Sequence, residues 1–452
     1  MTRTDVVICG AGIAGVALAC QLSRQPGMGK VLLVDERPPL TLTSDKSTEA
    51  YRDWWPGPDR AMRQLMGRSI DLLEELALES DNRFLLNRRG YLYVTASPER
   101  AAEMERQAGE YASEVRRHHP GDDQYQAAVA EGFAGEPDGV DLLWGTETIQ
   151  RHFPYLSPRA IAAMHTRRCG WFSGQQLGMY LLEQGRAQGV QLLQGRVSGV
   201  RQDGGRVNGV CVDTAGTSQE IPTGVFVNAA GPLVGQVGKM LGLELPIFSE
   251  RHLKASFNDT LGLVPREAPL LIWDDPQQLS WTAEEREWLA ESEETAWLLE
   301  QLPPGAHMRP EGGGNSQAIL LLWSYHTGPT QVALPLPPDP DFPEVVMRGM
   351  TSMIPGLAAY LDPLPRPWVD GGYYTKTREN RMLACPLPVE GAFLLGALSG
   401  YGLMASLAAA ELLAAHISGG VLPAYAPAFD LRRYDDPAYM RQIESWGGSL
   451  QL

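Results

Sequence analysis

Apolar and polar residues follow a regular pattern at the start of the chain. Residues 5–9 form a short apolar run that predicts a buried strand, and residues 13–22 place apolar side chains at helical spacing. A second apolar run, residues 31–34, predicts another strand and leads into Asp35. Because strand, helix and strand follow one another within a short stretch, the pattern predicts a parallel βαβ unit.

The same periodicities predict elements farther along the chain. Apolar residues at helical spacing indicate helices over residues 62–78, 175–188, 344–353 and 405–417. Apolar runs indicate strands over residues 224–228 and 392–396. Residues 83–95 predict a β-hairpin that turns at Arg89 and Gly90. Residues 281–302 are acidic and amphipathic, and we expect one helix that packs onto the protein; a lid or a dimer contact is the alternative.

The composition describes a globular protein and argues against several partners. Of the 452 residues, 44% are hydrophobic and 20% are charged, which is the usual balance of a chain that buries a core. The net charge of −16 opposes nucleic acid and anionic membranes as partners. No apolar run is long enough to span a membrane and no leader precedes the first strand, so the sequence predicts a cytoplasmic protein.

The cysteines and histidines show no pattern typical of a disulfide framework or a metal site. The five cysteines are scattered along the chain without a C-x-x-C pair, and the eight histidines lack the spacing of metal ligands. We therefore expect neither a structural disulfide nor a bound metal.

A glycine-rich segment joins the first predicted strand to the first predicted helix. Gly10, Gly12 and Gly15 form a G-x-G-x-x-G motif, and Asp35 lies twenty residues after Gly15. A glycine pair alone is a weak signal, because glycines also close ordinary turns between strands and helices. Strand, glycine motif, helix, strand and acid in this order are specific for a dinucleotide-binding unit.

Each residue type in this segment has a physical role. Gly10 permits a tight turn, Gly12 leaves room for a pyrophosphate, and Gly15 lets the helix and the strand approach closely. Free N–H groups at the helix N-terminus stabilise phosphate charge. Asp35 can accept hydrogen bonds from both ribose hydroxyls of an adenosine and disfavours a 2′-phosphate. The segment therefore predicts a bound dinucleotide.

Six segments together resemble one enzyme superfamily. They are GAGIAG (10–15), VLLVD (31–35), VNAAGP (227–232), RPEGGG (309–314), TRENR (377–381) and LGALSGYGL (395–403). Over nearly its whole length the chain resembles the FAD-dependent oxidoreductases of the D-amino-acid oxidase, glycine oxidase and sarcosine/dimethylglycine oxidoreductase superfamily. In such proteins the last segment is a turn whose N–H groups and following helix face the flavin.

The resemblance implies an α/β fold with two domains, as does a length that exceeds one compact core. We expect a Rossmann-like FAD-binding domain of the glutathione-reductase type over residues 1–82, 145–240 and 365–452. We expect a second, α+β substrate domain built on a largely antiparallel sheet. It comprises residues 83–144 and 241–364 and includes the acidic helical insertion 281–302.

The resemblance also implies which residues bind the cofactor. FAD is expected to be noncovalent, because Gly371 or Gly372 stands where several relatives carry a cysteine, and residues 41–51 lack the histidine that others use. The residues implied to contact FAD are Gly10, Gly12, Ile13, Ala14, Gly15, Asp35, Glu36, Arg37, Ser47, Thr48, Val197, Ala229, Ala230, Gly231, Gly400, Tyr401, Gly402, Leu403 and Met404.

The substrate side departs from the pattern of the superfamily. Tyr374 stands where glycine-oxidase-like enzymes carry an arginine that binds the substrate carboxylate, and a tyrosine cannot offer the bidentate charged pair of an arginine. The carboxylate is then bound by Arg52, Lys254, Lys376 or Arg378, or the substrate lacks one. Arg52 can equally be the ion-pair partner of Asp53 or Glu49.

The residues predicted for the substrate and catalytic side are Tyr374, Tyr401, Arg52 and Lys254. Tyr373 is a further candidate for lining the substrate face, although any of these tyrosines can also be a packing aromatic. Lys254 either activates oxygen or is an ordinary surface lysine. Glu379 is expected to order the loop beneath the flavin.

The activity implied is oxidation of a C–N bond in an amine or amino acid by hydride transfer to flavin N5. The product is an imine that water hydrolyses, and a secondary or N-methylated amino acid is favoured as substrate. The partners are this small molecule and oxygen or another electron acceptor, and oligomer formation is open. The alternatives are a non-catalytic or assembly flavoprotein on the same scaffold, or an FAD-dependent polyol-phosphate oxidoreductase. An aromatic-ring hydroxylase fits less well, because such enzymes usually carry a G-D pair where this chain has LGALS (395–399).

Overall fold

The computed structural model describes residues 4–446. Within this range the strands are β1 (Val6–Cys9), β2 (Val31–Asp35), β3 (Ala50–Arg52), β4 (Tyr91–Thr95), β5 (Val115–His118), β6 (Val140–Trp144), β7 (Ala162–Thr166), β8 (Cys169–Trp171), β9 (Gln191–Gln194), β10 (Arg196–Asp203), β11 (Arg206–Thr214), β12 (Thr217–Pro222), β13 (Val225–Asn228), β14 (Phe248–Asn258), β15 (Leu270–Trp273), β16 (Ala306–Pro310), β17 (Ala318–Leu322), β18 (Trp368–Lys376), β19 (Leu383–Pro386) and β20 (Ala392–Gly396).

The α-helices of the same range are α1 (Ile13–Ser23), α2 (Ala61–Glu79), α3 (Pro98–Tyr111), α4 (Thr146–His152), α5 (Gly174–Ala187), α6 (Val234–Met240), α7 (Ala283–Ala290), α8 (Glu293–Ala296), α9 (Phe342–Met350), α10 (Gly402–Ser418) and α11 (Pro437–Ser445). None of them combines the length and the apolar character that crossing a bilayer requires.

A six-stranded sheet carries the N-terminal βαβ unit. Its order is β19-β20-β13-β1-β2-β9, and every neighbouring pair is parallel except β19 with β20. Helices α1, α5 and α10 pack together, and α1 and α10 are buried along most of their length because their side chains are almost all apolar. The carboxyl ends of four parallel strands, β1, β2, β13 and β20, therefore meet at one edge, which is where α/β sheets bind ligands.

The second large sheet of the protein has nine strands. Its order is β18-β14-β17-β16-β15-β4-β7-β6-β5, and only the pairs β15–β4 and β5–β6 are parallel. Its separate hydrophobic core includes side chains from β4, β14, β15, β16 and β17 together with α9. The expected combination of a parallel nucleotide-binding sheet with a largely antiparallel second sheet is confirmed.

Several predicted elements coincide with observed ones. The predicted helices over 62–78, 175–188 and 405–417 correspond to α2, α5 and α10, and the predicted strand over 392–396 is β20. The domain boundaries are less well matched by the sheets, because β7 and β18 belong to the nine-stranded sheet although their residues were assigned to the first domain. Short strands do not show in their own sequence which sheet they join.

The predicted hairpin over residues 83–95 is wrong. Only β4 forms, and it pairs with β7 and β15 instead. The preceding segment makes its backbone hydrogen bonds to another part of the chain: Ser173 N–H donates to the Phe84 carbonyl at 2.7 Å, and Asn87 N–H donates to the Trp171 carbonyl at 3.1 Å. These long-range bonds replace the local pairing that the sequence suggested.

The acidic insertion 281–302 is helical but is not one helix. It contains α7 and α8 followed by a 3₁₀ turn, Trp297–Leu299. The break falls at Ser292, whose side chain accepts the Glu294 N–H and so starts a new helix. Leu289 is buried, whereas Trp288 is 64% exposed, so the apolar side chains of this amphipathic segment pack onto the protein only in part.

Candidate cofactor and substrate site

The turn between β1 and α1 depends on its glycines. Gly10 has a φ of +110°, and a Cβ there would overlap the carbonyl oxygen of Ala229. A Cβ at Gly15 would overlap the carbonyl oxygen of Gly10. At Gly12 the nearest atom is the Ser44 Oγ, which lies 3.2 Å from where a Cβ would stand. Gly10 and Gly15 are therefore needed for the turn itself, and Gly12 keeps open the space beside it.

Polar groups surround this turn. The Asp35 carboxylate accepts the N–H of Ala11 at 2.8 Å and the N–H of Arg37 at 2.9 Å. Ser44 Oγ accepts the N–H of Ile13 at 3.0 Å. Helix α1 begins at Ile13, and its N-cap residue Gly12 makes no side-chain cap bond. Both residues line the open space, so the positive end of α1 lies beside it.

A second turn, residues 396–402, lies at the carboxyl end of β20. Ala397 and Ser399 have positive φ values of 54° and 49°, which are uncommon for non-glycine residues. Helix α10 follows and, like α1, has no side-chain N-cap. Gly400 is required because the ring of Tyr374 packs against it, with a carbon atom 2.5 Å from where a Cβ would stand.

Both turns line one cavity of about 480 Å³. Most of the residues predicted to bind the cofactor lie along it: Gly10, Gly12, Ile13, Ala14, Asp35, Glu36, Arg37, Ser47, Val197, Ala229, Ala230, Gly231, Gly400, Gly402 and Leu403. The central expectation from the sequence was that these two distant segments meet, and the fold brings them together.

Four of the predicted cofactor residues lie elsewhere. Thr48, Tyr401 and Met404 line a neighbouring smaller chamber. Gly15 lines neither space and is packed beneath the turn. The motif fixes the spacing of these positions along the chain, but it does not show on which side of the backbone each one lies.

The residues of the 480 Å³ cavity fit FAD. Two helix N-termini whose N-cap residues make no side-chain cap bond can stabilise anionic groups, and Asp35 stands at the end of β2, the position of the ribose-binding acid in dinucleotide folds. The Ser399 hydroxyl, on the cavity wall, is buried and has no hydrogen-bond partner within residues 4–446. A buried unpaired hydroxyl costs free energy unless a ligand completes it.

The segment Ser47–Thr48 separates the cavity from the smaller chamber. Lys254 Nζ donates to the Ser47 carbonyl at 3.0 Å. Arg309, which is fully buried, donates from Nε and Nη2 to the Thr48 carbonyl at 3.1 and 2.8 Å. Lys254 is half-buried rather than on the surface, and burial lowers its pKa. Two cations therefore hold this wall in place.

The smaller chamber has a volume of about 70 Å³. Its side chains come from distant parts of the chain: Thr48, Ala50, Arg52, Trp55, Tyr91, His252, Leu253, Leu270, Ile272, His307, Leu322, Ser324, Tyr374, Gly400, Tyr401 and Met404. Tyr374 and Gly400 line the large cavity as well, so the two spaces adjoin. No aspartate or glutamate is among the lining residues that the structure describes.

Arg52 is the cation of this chamber. It is only 9% exposed, and its guanidinium lies over the Trp55 ring at 4.5 Å from the ring centre. It forms no ion pair with any residue in the range 4–446, and its Nε has no hydrogen-bond partner there. The alternative that Arg52 pairs with Asp53 or Glu49 is therefore wrong. A buried arginine without a carboxylate partner is an arrangement that an anionic ligand completes.

The other candidate cations have other partners or positions. Lys376 Nζ contacts Glu250 at 2.9 Å, Lys254 is bonded to the Ser47 carbonyl, and Arg378 is exposed. Of the cations proposed for carboxylate binding, only Arg52 lines the chamber.

Two tyrosines at the junction differ in their hydroxyl groups. Tyr401 donates its hydroxyl to the Asn380 carbonyl at 2.8 Å, and its ring meets the Trp55 ring edge-on. The Tyr374 ring stacks on His252 with centres 3.8 Å apart, and its hydroxyl has no hydrogen-bond partner among the described residues. Burial raises the pKa of Tyr374 to about 12, so its hydroxyl is a donor at neutral pH.

Two histidines of the chamber had not been singled out from the sequence. Both nitrogens of His252 are engaged, one by Ser324 at 2.9 Å and the other by Glu250 at 3.2 Å. His307 Nδ1 is 2.8 Å from the Gly305 carbonyl, and burial lowers the pKa of His307 to about 4. Each lies on a strand of the nine-stranded sheet, far in sequence from the glycine motif, and no local motif marks it.

Comparison with known proteins agrees with this geometry. The family described as FAD dependent oxidoreductase (DAO) matches residues 5–416. The chain is 26% identical over 315 residues to mitochondrial dimethylglycine dehydrogenase of Rattus norvegicus and of Homo sapiens. These matches cover 67% of this chain but 33% of either relative, so the chain spans about a third of the length of these relatives.

Solved structures share the fold over almost the whole chain. L-proline dehydrogenase from P. horikoshii has a TM-score of 0.71 at 20% identity, covering 96% of this chain and 98% of that one. Glycine oxidase from Geobacillus kaustophilus has a TM-score of 0.70 at 16% identity, covering 95% and 99%. The extent of the family match and the two turns that line one cavity lead to the same result: the chain belongs to the FAD dependent oxidoreductase family.

Proposed function

We propose that this enzyme oxidises the C–N bond of a small amino acid whose carboxylate is bound by Arg52. The observation that carries the proposal is the position of Arg52, buried and without an ion-pair partner among residues 4–446, in a chamber that adjoins the cofactor cavity. Arginine binds carboxylates through two parallel hydrogen bonds. A chamber of about 70 Å³ suits a small substrate.

The cavity and the chamber have different roles in the proposed reaction. Bound FAD supplies the two-electron acceptor. The N-termini of α1 and α10 stabilise its negative charge, and the cavity holds it without a covalent bond. Cys9 is the only cysteine, and there is no histidine, among the described residues that line the cavity. Burial raises the pKa of the Cys9 thiol to about 12, so it stays protonated.

The charges in the chamber favour a neutral substrate amine. No described carboxylate lines it to stabilise an ammonium group, and Arg52 adds positive charge. An amine that has lost its proton carries the lone pair that C–N oxidation requires. Tyr374, which stacks on His252, lines both spaces, so it borders the place where the substrate would meet the cofactor.

The relatives support this substrate class. Solved structures with this fold include enzymes named for proline, glycine and iminodiacetate, and the curated relatives are named for dimethylglycine. All of these compounds are amino acids with a free carboxylate. A polyol phosphate fits less well, because a single cation lines the chamber among the described residues.

Anaerobic bleaching of the flavin tests the proposal. Purified holoenzyme is mixed with glycine, N-methylglycine and proline, and with the carboxamide of each compound as the matched control. We expect bleaching by at least one amino acid and by none of the carboxamides. Equal bleaching by acid and amide contradicts the role of Arg52, and bleaching by no amine in a broad screen contradicts amine oxidation. Admission of air then shows whether oxygen or another acceptor reoxidises the flavin.

Acid precipitation tests the noncovalent attachment. We expect the flavin in the supernatant, and flavin that stays with the precipitate contradicts this part of the proposal.

A further inference from the structure

We propose that His307 accepts a hydrogen bond from the N–H of the substrate amine and thereby selects primary and secondary amines over tertiary amines. This inference rests on the proposed function, since it assigns the contact of the nitrogen whose C–N bond is oxidised. It also separates this enzyme from the curated relatives, which are named for a tertiary amine.

The hydrogen bond at one ring nitrogen fixes the tautomer of His307. Its Nδ1 lies 2.8 Å from the Gly305 carbonyl oxygen. A carbonyl oxygen can only accept, so Nδ1 carries the proton and donates. In the neutral ring the other nitrogen, Nε2, then has a lone pair and no proton. His307 therefore presents an acceptor on its second side.

This acceptor is free to meet a ligand. Nε2 of His307 makes no hydrogen bond with any residue between 4 and 446. The side chain lines the chamber that also contains Arg52 and Tyr374, and the charge of Arg52 acts on His307. Arg52 and His307 thus line the same small chamber. An amino acid could therefore place its carboxylate at Arg52 and its amine at His307.

His307 acts as an acceptor and not as a base. Burial, with the nearby charge of Arg52 as a smaller contribution, lowers its pKa to about 4. A group this weakly basic does not take a proton from an amine at neutral pH. It can still orient a neutral amine through N–H···N, so that the nitrogen lone pair points away from His307.

Among the nitrogen-bearing side chains that line the chamber in the described residues, only His307 offers an acceptor without a proton; the hydroxyl groups of the chamber can donate as well as accept, so they do not distinguish an N–H amine in the same way. His252 has both nitrogens engaged, Arg52 is a donor only, and Tyr401 donates to the Asn380 carbonyl. A tertiary amine in its reactive, neutral form has no N–H. It therefore leaves the lone pair of His307 Nε2 without a hydrogen-bond donor. Loss of one such hydrogen bond lowers the rate by about tenfold.

The test compares matched substrate pairs on the holoenzyme. The pairs are N-methylglycine with N,N-dimethylglycine, and proline with N-methylproline, and the readout is the anaerobic rate of flavin bleaching. For each pair that the enzyme oxidises, we expect the amine with an N–H to react about tenfold faster than the tertiary amine. The His307→Phe variant keeps an aromatic ring but loses the acceptor, so we expect the preference of about tenfold to be lost and the two members of each pair to react at similar rates.

A conservative variant separates hydrogen bonding from packing. The side-chain oxygen of His307→Gln can accept where Nε2 did, so we expect the preference for N–H amines to return. A wild-type enzyme that bleaches equally with both members overturns the role of His307 while leaving amine oxidation intact. A preference that persists in His307→Phe overturns it as well. Bleaching by no amine contradicts the proposed function itself.

Discussion

The cofactor cavity and the substrate chamber share Tyr374 and Gly400 as a common wall but are built from different parts of the chain. The cavity is lined by turns at the carboxyl ends of parallel strands, in which several positions have a positive φ or have no room for a Cβ. The chamber is formed by side chains from many separate segments, and Arg52 and His307 are examples.

This difference shows how the two functions are encoded. Backbone N–H groups and helix ends can bind the same diphosphate in every member of a family, because they do not depend on side-chain identity. A chamber of side chains can change its substrate through single replacements. Changes at the cavity should therefore remove the cofactor, whereas changes in the chamber should alter the substrate and leave the cofactor bound.

The largest expected effect comes from Gly12→Val. The backbone of Gly12 has an ordinary φ of −72°, and a Cβ there meets only the Ser44 hydroxyl, so the fold should survive. The added side chain points into the cavity and should prevent FAD binding. We expect a folded, colourless protein, checked by flavin absorbance and circular dichroism.

The matched control is Gly109→Val, on the exposed surface of α3 where no atom lies within 4 Å of the added Cβ. It should retain its flavin. A yellow Gly12→Val protein contradicts the assignment of the cavity.

Arg52→Met should have the next largest effect. It removes the charged hydrogen bonds to the substrate carboxylate, which corresponds to a fall in kcat/KM of about 100-fold, while flavin content stays at the wild-type level. Arg378→Met, at an exposed position, should leave both unchanged. Equal kinetics of wild type and Arg52→Met show that the carboxylate binds elsewhere.

The uncharged state of buried His307 predicts a dependence of stability on pH. The pKa of His307 is lowered from 6.5 to about 4, so the unfolded chain takes up a proton at a higher pH than the folded protein. Its contribution is complete above pH 6.5 and is lost as the pH falls toward 4. A shift of this size corresponds to about 3 kcal/mol of the free energy of unfolding.

Denaturant unfolding at pH 7 and pH 4.5 measures this contribution. The glutamine side chain of the His307→Gln variant does not take up a proton in this range. Its free energy of unfolding should therefore fall less between pH 7 and pH 4.5 than that of the wild type. An equal loss in both proteins means that other groups cause the decline.

The smallest effect is expected from Tyr374→Phe. The mutation removes one hydroxyl donor that has no partner among the described residues, so we expect kcat/KM to fall by about threefold to tenfold. Tyr401→Phe instead removes the bond to the Asn380 carbonyl. It should lower the free energy of unfolding by about 1 kcal/mol with little change in kinetics. A kinetic effect of Tyr401→Phe together with a loss of stability in Tyr374→Phe would contradict the roles proposed for the two hydroxyl groups.

Local sequence was sufficient to predict the cofactor cavity. The glycine motif and Asp35 occur at a spacing that is specific for a dinucleotide-binding unit, and the segment around Gly400 was identified through the resemblance. Ser44 was missed within this region, because a serine in a polar loop has no spacing that distinguishes it.

The chamber could be predicted only in part. Arg52 and Tyr374 were named through the resemblance, but His252 and His307 lie on β14 and β16, which are brought to the same region of the sheet because β14 pairs with β17, a strand far away in sequence. Apolar alternation predicts that a strand exists and not which side chains of other strands it meets. The broken helix at Ser292 has the same origin, since a local cap overrode the periodic pattern.

A crystal structure of the holoenzyme with a small carboxylate that lacks an amine tests the central claim most directly. We predict one FAD that contacts both the Gly12 turn and the Gly400 turn, with the carboxylate on Arg52 in the adjoining chamber. FAD that contacts only one of the two turns, or a carboxylate bound away from Arg52, would contradict it.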